Sequence, residues 1–209
     1  MTRKCWLLAL GLLIALLHTG CLPPGRLGSE PPDHERELWL VDGFDFPVGD
    51  RNGRGWAVTG YDFLDWSSYS NSYHPGEDWN IPGAGNGDQG EPVYAVAHGE
   101  VVFSGWNTAL GNVILIKHAI TPTDFVWSQY AHLAERYVDR GERVYRRQPI
   151  GTVGRGPNNT FAAHLHFELR KADLPANAWP RTNGVPWSRS KVADFWLHPS
   201  AFINLNRPQ

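Results

Sequence analysis

The chain predicts an all-β domain of antiparallel strands, and three observations carry that expectation. Its 209 residues include 22 glycines and 16 prolines, which divide it into short runs joined by turns and leave little room for long helices. Apolar stretches of strand length lie between those turns, among them Asn112 to His118 and Phe125 to His132. One run, His164-Leu165-His166-Phe167-Glu168-Leu169, alternates strictly, which is the period of a strand with one buried face. At 42% hydrophobic residues and with ten tryptophans, the chain can fill a modest core. Its length fits one main domain with additions.

The elements follow in order. Arg3 and Lys4 precede Cys5 to Leu17, an unbroken apolar or glycine run of thirteen residues. That is too short for a membrane-spanning helix of about 20 residues, and it suits the central part of an export signal over residues 1–20. The run ends in Thr19-Gly20-Cys21, which resembles the bacterial lipoprotein cleavage box, in which the cysteine becomes the lipidated first residue. Cys21 is therefore the expected membrane anchor. Leu22 gives no inner-membrane retention signal, so the expected location is the outer membrane or cell surface. Cleavage there removes Cys5 and leaves one cysteine, which excludes an intramolecular disulfide. It also removes two basic residues and no acid, so the net charge moves from −2 to −4. No basic patch points to nucleic acid. Residues 21–37, with Pro23, Pro24, Pro31 and Pro32, read as a semi-extended tether. Residues 38–209 form the globular domain.

Within that domain Leu38 to Val41 reads as a first strand. The aromatic, serine-rich segment from Tyr61 to Tyr73 is expected to pack across one end of a groove. Asp78-Trp79-Asn80-Ile81 reads as a short strand closed by Pro82-Gly83. Further strands are expected over Pro92–Ala97, Gly99–Gly105, Asn112–His118, Phe125–His132, Pro149–Val153 and His164–Arg170, with a helical turn over Leu133–Val138. Lys171 to Gln209, with four prolines before its end at Pro175, Pro180, Pro186 and Pro199, reads as an irregular wrap.

Five residues in three stretches carry the chemistry: His74 and Asp78 in His74-Pro75-Gly76-Glu77-Asp78, His132 in Tyr130-Ala131-His132-Leu133, and the pair His164 and His166. Imidazole and carboxylate are zinc ligands, and a catalytic zinc needs three of them plus water. Five such groups allow one metal site with two histidines left for proton transfer. On the alternating strand Leu165, Phe167 and Leu169 face a core while His164, His166 and Glu168 face a groove. A half-buried strand gives this alternation with no site at all, but two histidines on its polar face favour one. His-x-x-x-Asp alone is weak, since Asp and Pro-Gly are ordinary turn residues. No His-Glu-x-x-His signature is present, because Leu38 stands where the second histidine after His34-Glu35 belongs.

Together these motifs resemble the lysostaphin-type, or LytM-like, zinc metallopeptidases that cut peptide bonds in bacterial cell-wall peptidoglycan. Gly99-Glu100-Val101-Val102, Gly111 to His118 and Gln148 to Gly154 resemble the family's central strands and the turn before its last motif. The resemblance runs from about Tyr73 to Arg170. It implies an antiparallel β-sandwich or open barrel with a groove across one sheet. It also implies one Zn2+ per chain held by His74, Asp78 and His166, with His132 and His164 as the catalytic pair beside it. The implied reaction is hydrolysis of peptide cross-links or stem peptides by a zinc-activated water. The alternative is an inactive relative that regulates or binds wall hydrolases, and the five occupied positions speak against it. The loop Gly83 to Gly90 is longer than the family's usual connection. Glu168 is a candidate to orient a ligand imidazole, Asn112 and Tyr130 are candidates to line the groove, and His34, His98, His118 and His198 read as structural or surface residues.

Overall fold

The computed structural model describes residues 39–208. The signal segment, Cys21, the tether and Leu38 lie outside the described residues. The strands are β1 (Ala57–Val58), β2 (Trp66–Ser67), β3 (Ser72–Tyr73), β4 (Glu77–Asn80), β5 (Pro92–Tyr94), β6 (Gly99–Asn107), β7 (Gly111–Ala119), β8 (Phe125–Arg136), β9 (Arg143–Val144), β10 (Pro149–Val153), β11 (Leu165–Arg170), β12 (Arg181–Thr182), β13 (Val185–Pro186) and β14 (Trp196–Leu197). Two short helices, α1 (Arg189–Phe195) and α2 (Pro199–Leu205), flank β14.

The main sheet runs β1-β4-β11-β8-β7-β6-β9, with β10 pairing to β8 and β5, and β14 to β11. Every strand pair in it is antiparallel. One face carries the core: Leu165, Phe167 and Leu169 of β11 pack with Val93, Val101, Ile114, Ile116, Tyr130 and Ile150, all buried. Strand alternation then sends His166, Glu168 and Arg170 to the opposite face, where Val113 and Ala131 pack against Leu110 and Trp179.

Three expectations are corrected. Leu133 to Val138 is not a helical turn: β8 continues to Arg136, because Leu133 pairs with Asn112 of β7 and Val153 of β10. The helix-favouring Ala134, Glu135 and Arg136 are overruled by those long-range pairings. Leu38 to Val41 is not a strand within the described residues; Leu40 makes an isolated bridge to Ala119. The C-terminal part is more regular than a wrap. Ser188 caps α1, its Oγ accepting from Lys191 N at 3.2 Å. Pro199, one of the four prolines of the expected wrap, opens α2, where a missing N–H costs nothing. Glu77 seats that helix by accepting from Ser200 N and Ser200 Oγ at 3.0 and 2.7 Å.

Candidate metal centre

The ligand set is assembled by one strand pairing. His166 of β11 lies directly across from Asp78 of β4, so both side chains leave the sheet on the same face. His74 joins them from the turn before β4. That turn is pinned by His74 N donating to Asp65 O at 2.8 Å and Leu64 N donating to His74 O at 2.9 Å. Gly76 permits the geometry, because a Cβ there would overlap the Phe167 carbonyl of β11.

His74 Nε2, His166 Nδ1 and Asp78 Oδ1 form a triangle with sides of 2.9, 3.0 and 3.2 Å. Zinc bonds of about 2.0–2.2 Å in tetrahedral array space their ligands about 3.3–3.6 Å apart, so a few tenths of an ångström of opening admits the ion. The tautomers agree with this. His74 Nδ1 donates to Gly76 O at 2.8 Å, and His166 Nε2 donates to Glu168 Oε1 at 2.9 Å. Each ring therefore turns its remaining nitrogen to the centre of the triangle.

The charges also call for a cation. Asp78 is buried, which opposes its ionisation, yet His74 and His166 hold its carboxyl well below the ordinary range. Glu168 is likewise buried, and Arg170 and His166 bring it down to about 2. Burial works against a charge on His166, but hydrogen bonds to Asp78 and Glu168 push it up to about 9. Two buried carboxylates face a single buried guanidinium, Arg170, whose Nε donates to Glu168 Oε2 at 2.8 Å. The surplus negative charge is met by a proton on His166 and would equally be met by a metal ion.

The other two imidazoles stand beside this triangle. His132 Nδ1 donates to Leu110 O at 2.9 Å and His164 Nδ1 to Ala162 O at 2.8 Å, which leaves both Nε2 atoms bare. Their ring centroids are 4.8 Å apart, and His164 Nε2 is 3.7 Å from Asp78 Oδ1. Strict alternation would have sent His132 to the core with Tyr130. A bulge in β8 intervenes: the pairing slips between Ile114↔Tyr130 and Asn112↔Leu133, and His132 has φ +62°. Bulges re-aim side chains in this way. Burial, and then the neighbouring imidazoles of His164 and His166, push His132 well below the ordinary histidine range, so it is neutral at pH 7.

The five expected residues thus converge, and Glu168 orients His166. Tyr130 does not line the groove: it is fully buried on the core face, and its hydroxyl accepts from Val96 N at 2.9 Å. Asn112 does not line it either; its amide donates to Leu133 O and Ala134 O at 3.2 and 3.0 Å and braces the bulge. Three partners of Glu168 were not singled out in the sequence. Gln129 Nε2 and Trp196 Nε1 donate to it at 3.1 and 2.7 Å, and Arg170 also binds Gln129 Oε1 at 2.8 Å. Only Arg170 was within reach of sequence reasoning, two residues beyond Glu168 on an alternating strand.

The residues open into a cleft of about 520 Å³. Tyr61 and Tyr69, from the serine-rich segment, form one wall, with Phe161, Trp179 and Arg181 around the rest. A second depression, bordered by Thr59, Asn80, Gly83 and Gly85, continues past His164, so the long glycine loop does border the site.

An antiparallel β-sheet groove holds a His-Asp-His triangle whose ligand atoms could share one metal ion, with two further imidazoles beside it. A model of Peptidase family M23 matches residues 72–178, and the chain belongs to that family. It is 35% identical over 117 residues to the peptidoglycan DD-endopeptidase ShyC of Vibrio cholerae, a match covering 56% of this chain and 24% of the relative. It is 39% identical over 87 residues to the lipoprotein NlpD of Yersinia enterocolitica, covering 40% of this chain and 81% of the relative. Among solved structures it resembles the catalytic domain of lysostaphin from Staphylococcus simulans, with a TM-score of 0.50 and 25% identity over 69% of this chain and 90% of that one. The chain spans about a quarter of the length of the first curated relatives it matches.

Proposed function

We propose that this chain is an exported zinc metalloendopeptidase that hydrolyses peptide bonds of bacterial peptidoglycan. The single observation that carries the reading is the triangle of His74 Nε2, Asp78 Oδ1 and His166 Nδ1, with both rings locked by outer partners. In this reading those three residues hold one Zn2+. The ion supplies Lewis acidity to the scissile carbonyl and brings the pKa of a water down towards about 7. His132 and His164 do the rest through their bare Nε2 atoms. One takes the proton from the attacking water and returns it to the leaving nitrogen, and the other, once its Nε2 carries a proton, donates to the developing oxyanion. The hydrogen bonds to Leu110 O and Ala162 O fix both rings for this work. The aromatic walls hold an extended peptide across the cleft and exclude water from one side of it. The similarity to an enzyme named for DD-endopeptidase activity supports a wall-peptide substrate.

Export, cleavage before Cys21, a lipid on that cysteine and a proline-rich tether over 21–37 complete the proposal. They place the domain at the cell envelope, within reach of the wall. The named lipoprotein among the relatives is consistent with this.

Hydrolysis of purified peptidoglycan, with muropeptide analysis and with and without a zinc chelator, tests the activity. Cleavage that stops in chelator and returns with zinc is expected; undiminished cleavage in chelator overturns the metal mechanism. Mass spectrometry of the mature N-terminus tests the anchor, and an unmodified Cys21 overturns it.

A further inference from the structure

We infer that Arg181 is a carboxylate-binding residue of the cleft, selecting peptides that carry a free carboxylate a residue or two from the cleaved bond. The inference rests on the reading of the cleft as a peptide-hydrolysing site and adds the chemical class of its substrate.

Arg181 lines the same cleft as His74, Asp78 and His166. It is the only arginine or lysine among the cleft's lining residues, and Asp78, the only acid there, is engaged by three imidazoles. Most described arginines have a partner. Arg146 and Arg207 bind Asp45, and Arg170 binds Glu168. Arg136 and Arg155 donate to Ser104 Oγ and Phe161 O, and Arg147 to Phe46 O and Gly49 O. Among the described residues no ion pair, side-chain hydrogen bond or aromatic ring engages the Arg181 guanidinium. Its five donors are therefore available, in a fork that matches a carboxylate.

The backbone beneath it is fixed, as a recognition residue requires. Arg181 begins the hairpin β12–β13, where it pairs with Pro186. Arg181 N donates to Trp179 O at 2.6 Å, and Trp187 N donates to Pro180 O at 3.0 Å. Trp187 Nε1 donates to Thr182 Oγ1 at 2.7 Å. Trp179 is anchored across the cleft by its Nε1, which donates to Ser72 Oγ at 2.6 Å, and its ring lies 5.7 Å from that of His166. Arg181 is thus joined through one tryptophan to the metal triangle, and its attachment holds a substrate carboxylate in fixed register with the scissile bond. A solvent-exposed guanidinium also steers anionic peptides into the cleft, an attraction that salt screens over about 8 Å at physiological ionic strength.

The test compares two dansyl-labelled peptides ending in D-alanyl-D-alanine, one as the free acid and one as the carboxamide, bound to the zinc-loaded protein and followed by fluorescence anisotropy. The wild type is expected to bind the acid about tenfold more tightly, the scale of one hydrogen-bonded charge. Raising the salt should shrink that preference. Arg181→Gln should abolish it by weakening the acid alone, and Arg181→Lys should restore part of it. Equal binding of acid and amide by the wild type, absence of binding by both, or a preference that survives Arg181→Gln overturns the assignment. Cleavage of purified peptidoglycan is read on the same preparations. Wall cleavage without acid preference removes the role of Arg181 and leaves the hydrolase reading standing, whereas no wall cleavage by zinc-loaded wild type removes the hydrolase reading itself.

Discussion

At the scale of single residues, the site works because each imidazole has one nitrogen committed and one left over. Nδ1 is committed in His74, His132 and His164, each to a backbone carbonyl. His166 is inverted, with Nε2 committed to Glu168. The triangle and the flanking pair therefore make separable contributions. His166→Ala is expected to lose stoichiometric zinc, measured by metal analysis. His132→Ala should keep zinc and lose about 10²–10⁴-fold in turnover, the range of a general acid–base group. Equal zinc in wild type and His166→Ala would break the ligand assignment. His118, remote from the cleft, governs a different property. It is fully buried, its Nδ1 donates to His98 O at 2.8 Å, and its Nε2 meets Ser128 Oγ at 2.7 Å. Burial pushes its pKa down to about 4. The unfolded chain binds that proton more readily, near pH 6.5, so the stability it contributes is complete above pH 6.5 and is lost as the pH falls towards 4. The loss is about 3 kcal/mol. Urea unfolding at pH 7 and pH 4.5 should show a smaller acid penalty for His118→Gln than for the wild type. An unchanged difference between the two pH values would refute this.

At the scale of elements, two local irregularities make a regular sheet into a site. The bulge at His132 moves one imidazole from the core face to the cleft face, and left-handed backbone at a non-glycine residue is strain that the surrounding pairings hold in place. Gly76 lets the turn carrying His74 approach the backbone of β11 at Phe167. Gly76→Ala is expected to destabilise the fold by about 1–3 kcal/mol, as overpacking does, and to weaken zinc binding as well, because the displaced turn lies between His74 and Asp78. Chemical denaturation and zinc titration read the two effects; wild-type values in both would show that the approach is not needed. The strands themselves were largely legible. Pro149–Val153 is found with the expected bounds, and β6, β7 and β11 within two residues at either end. The helical turn expected after His132 failed because Leu133 finds its partners at Asn112 and Val153. The helix α2 near the C-terminus was missed because proline breaks a helix interior but suits its first turn.

At the scale of the molecule, the site ties the beginning of the domain to its end. His74 and His166 are 92 positions apart, and a metal ion held there would add its binding free energy to the adjacency of β4 and β11. Zinc at a hundred times its dissociation constant is expected to stabilise the folded state by about 2.7 kcal/mol. Thermal unfolding with zinc and with chelator should differ accordingly in the wild type and scarcely at all in His166→Ala. A chelator effect of equal size in both would place the stabilising metal elsewhere. By itself the sequence determined the fold class, the cleft-facing side of β11 and the five groups that meet, because strand alternation and the wording of short motifs are local properties. The tertiary structure alone decided which nitrogen each imidazole presents, that His132 reaches the cleft through a bulge, that Gln129 and Trp196 brace Glu168, and that Arg181 in the cleft has no ion pair among the described residues. Those features arise from contacts between residues far apart in the chain, whose register is set by how the whole sheet packs.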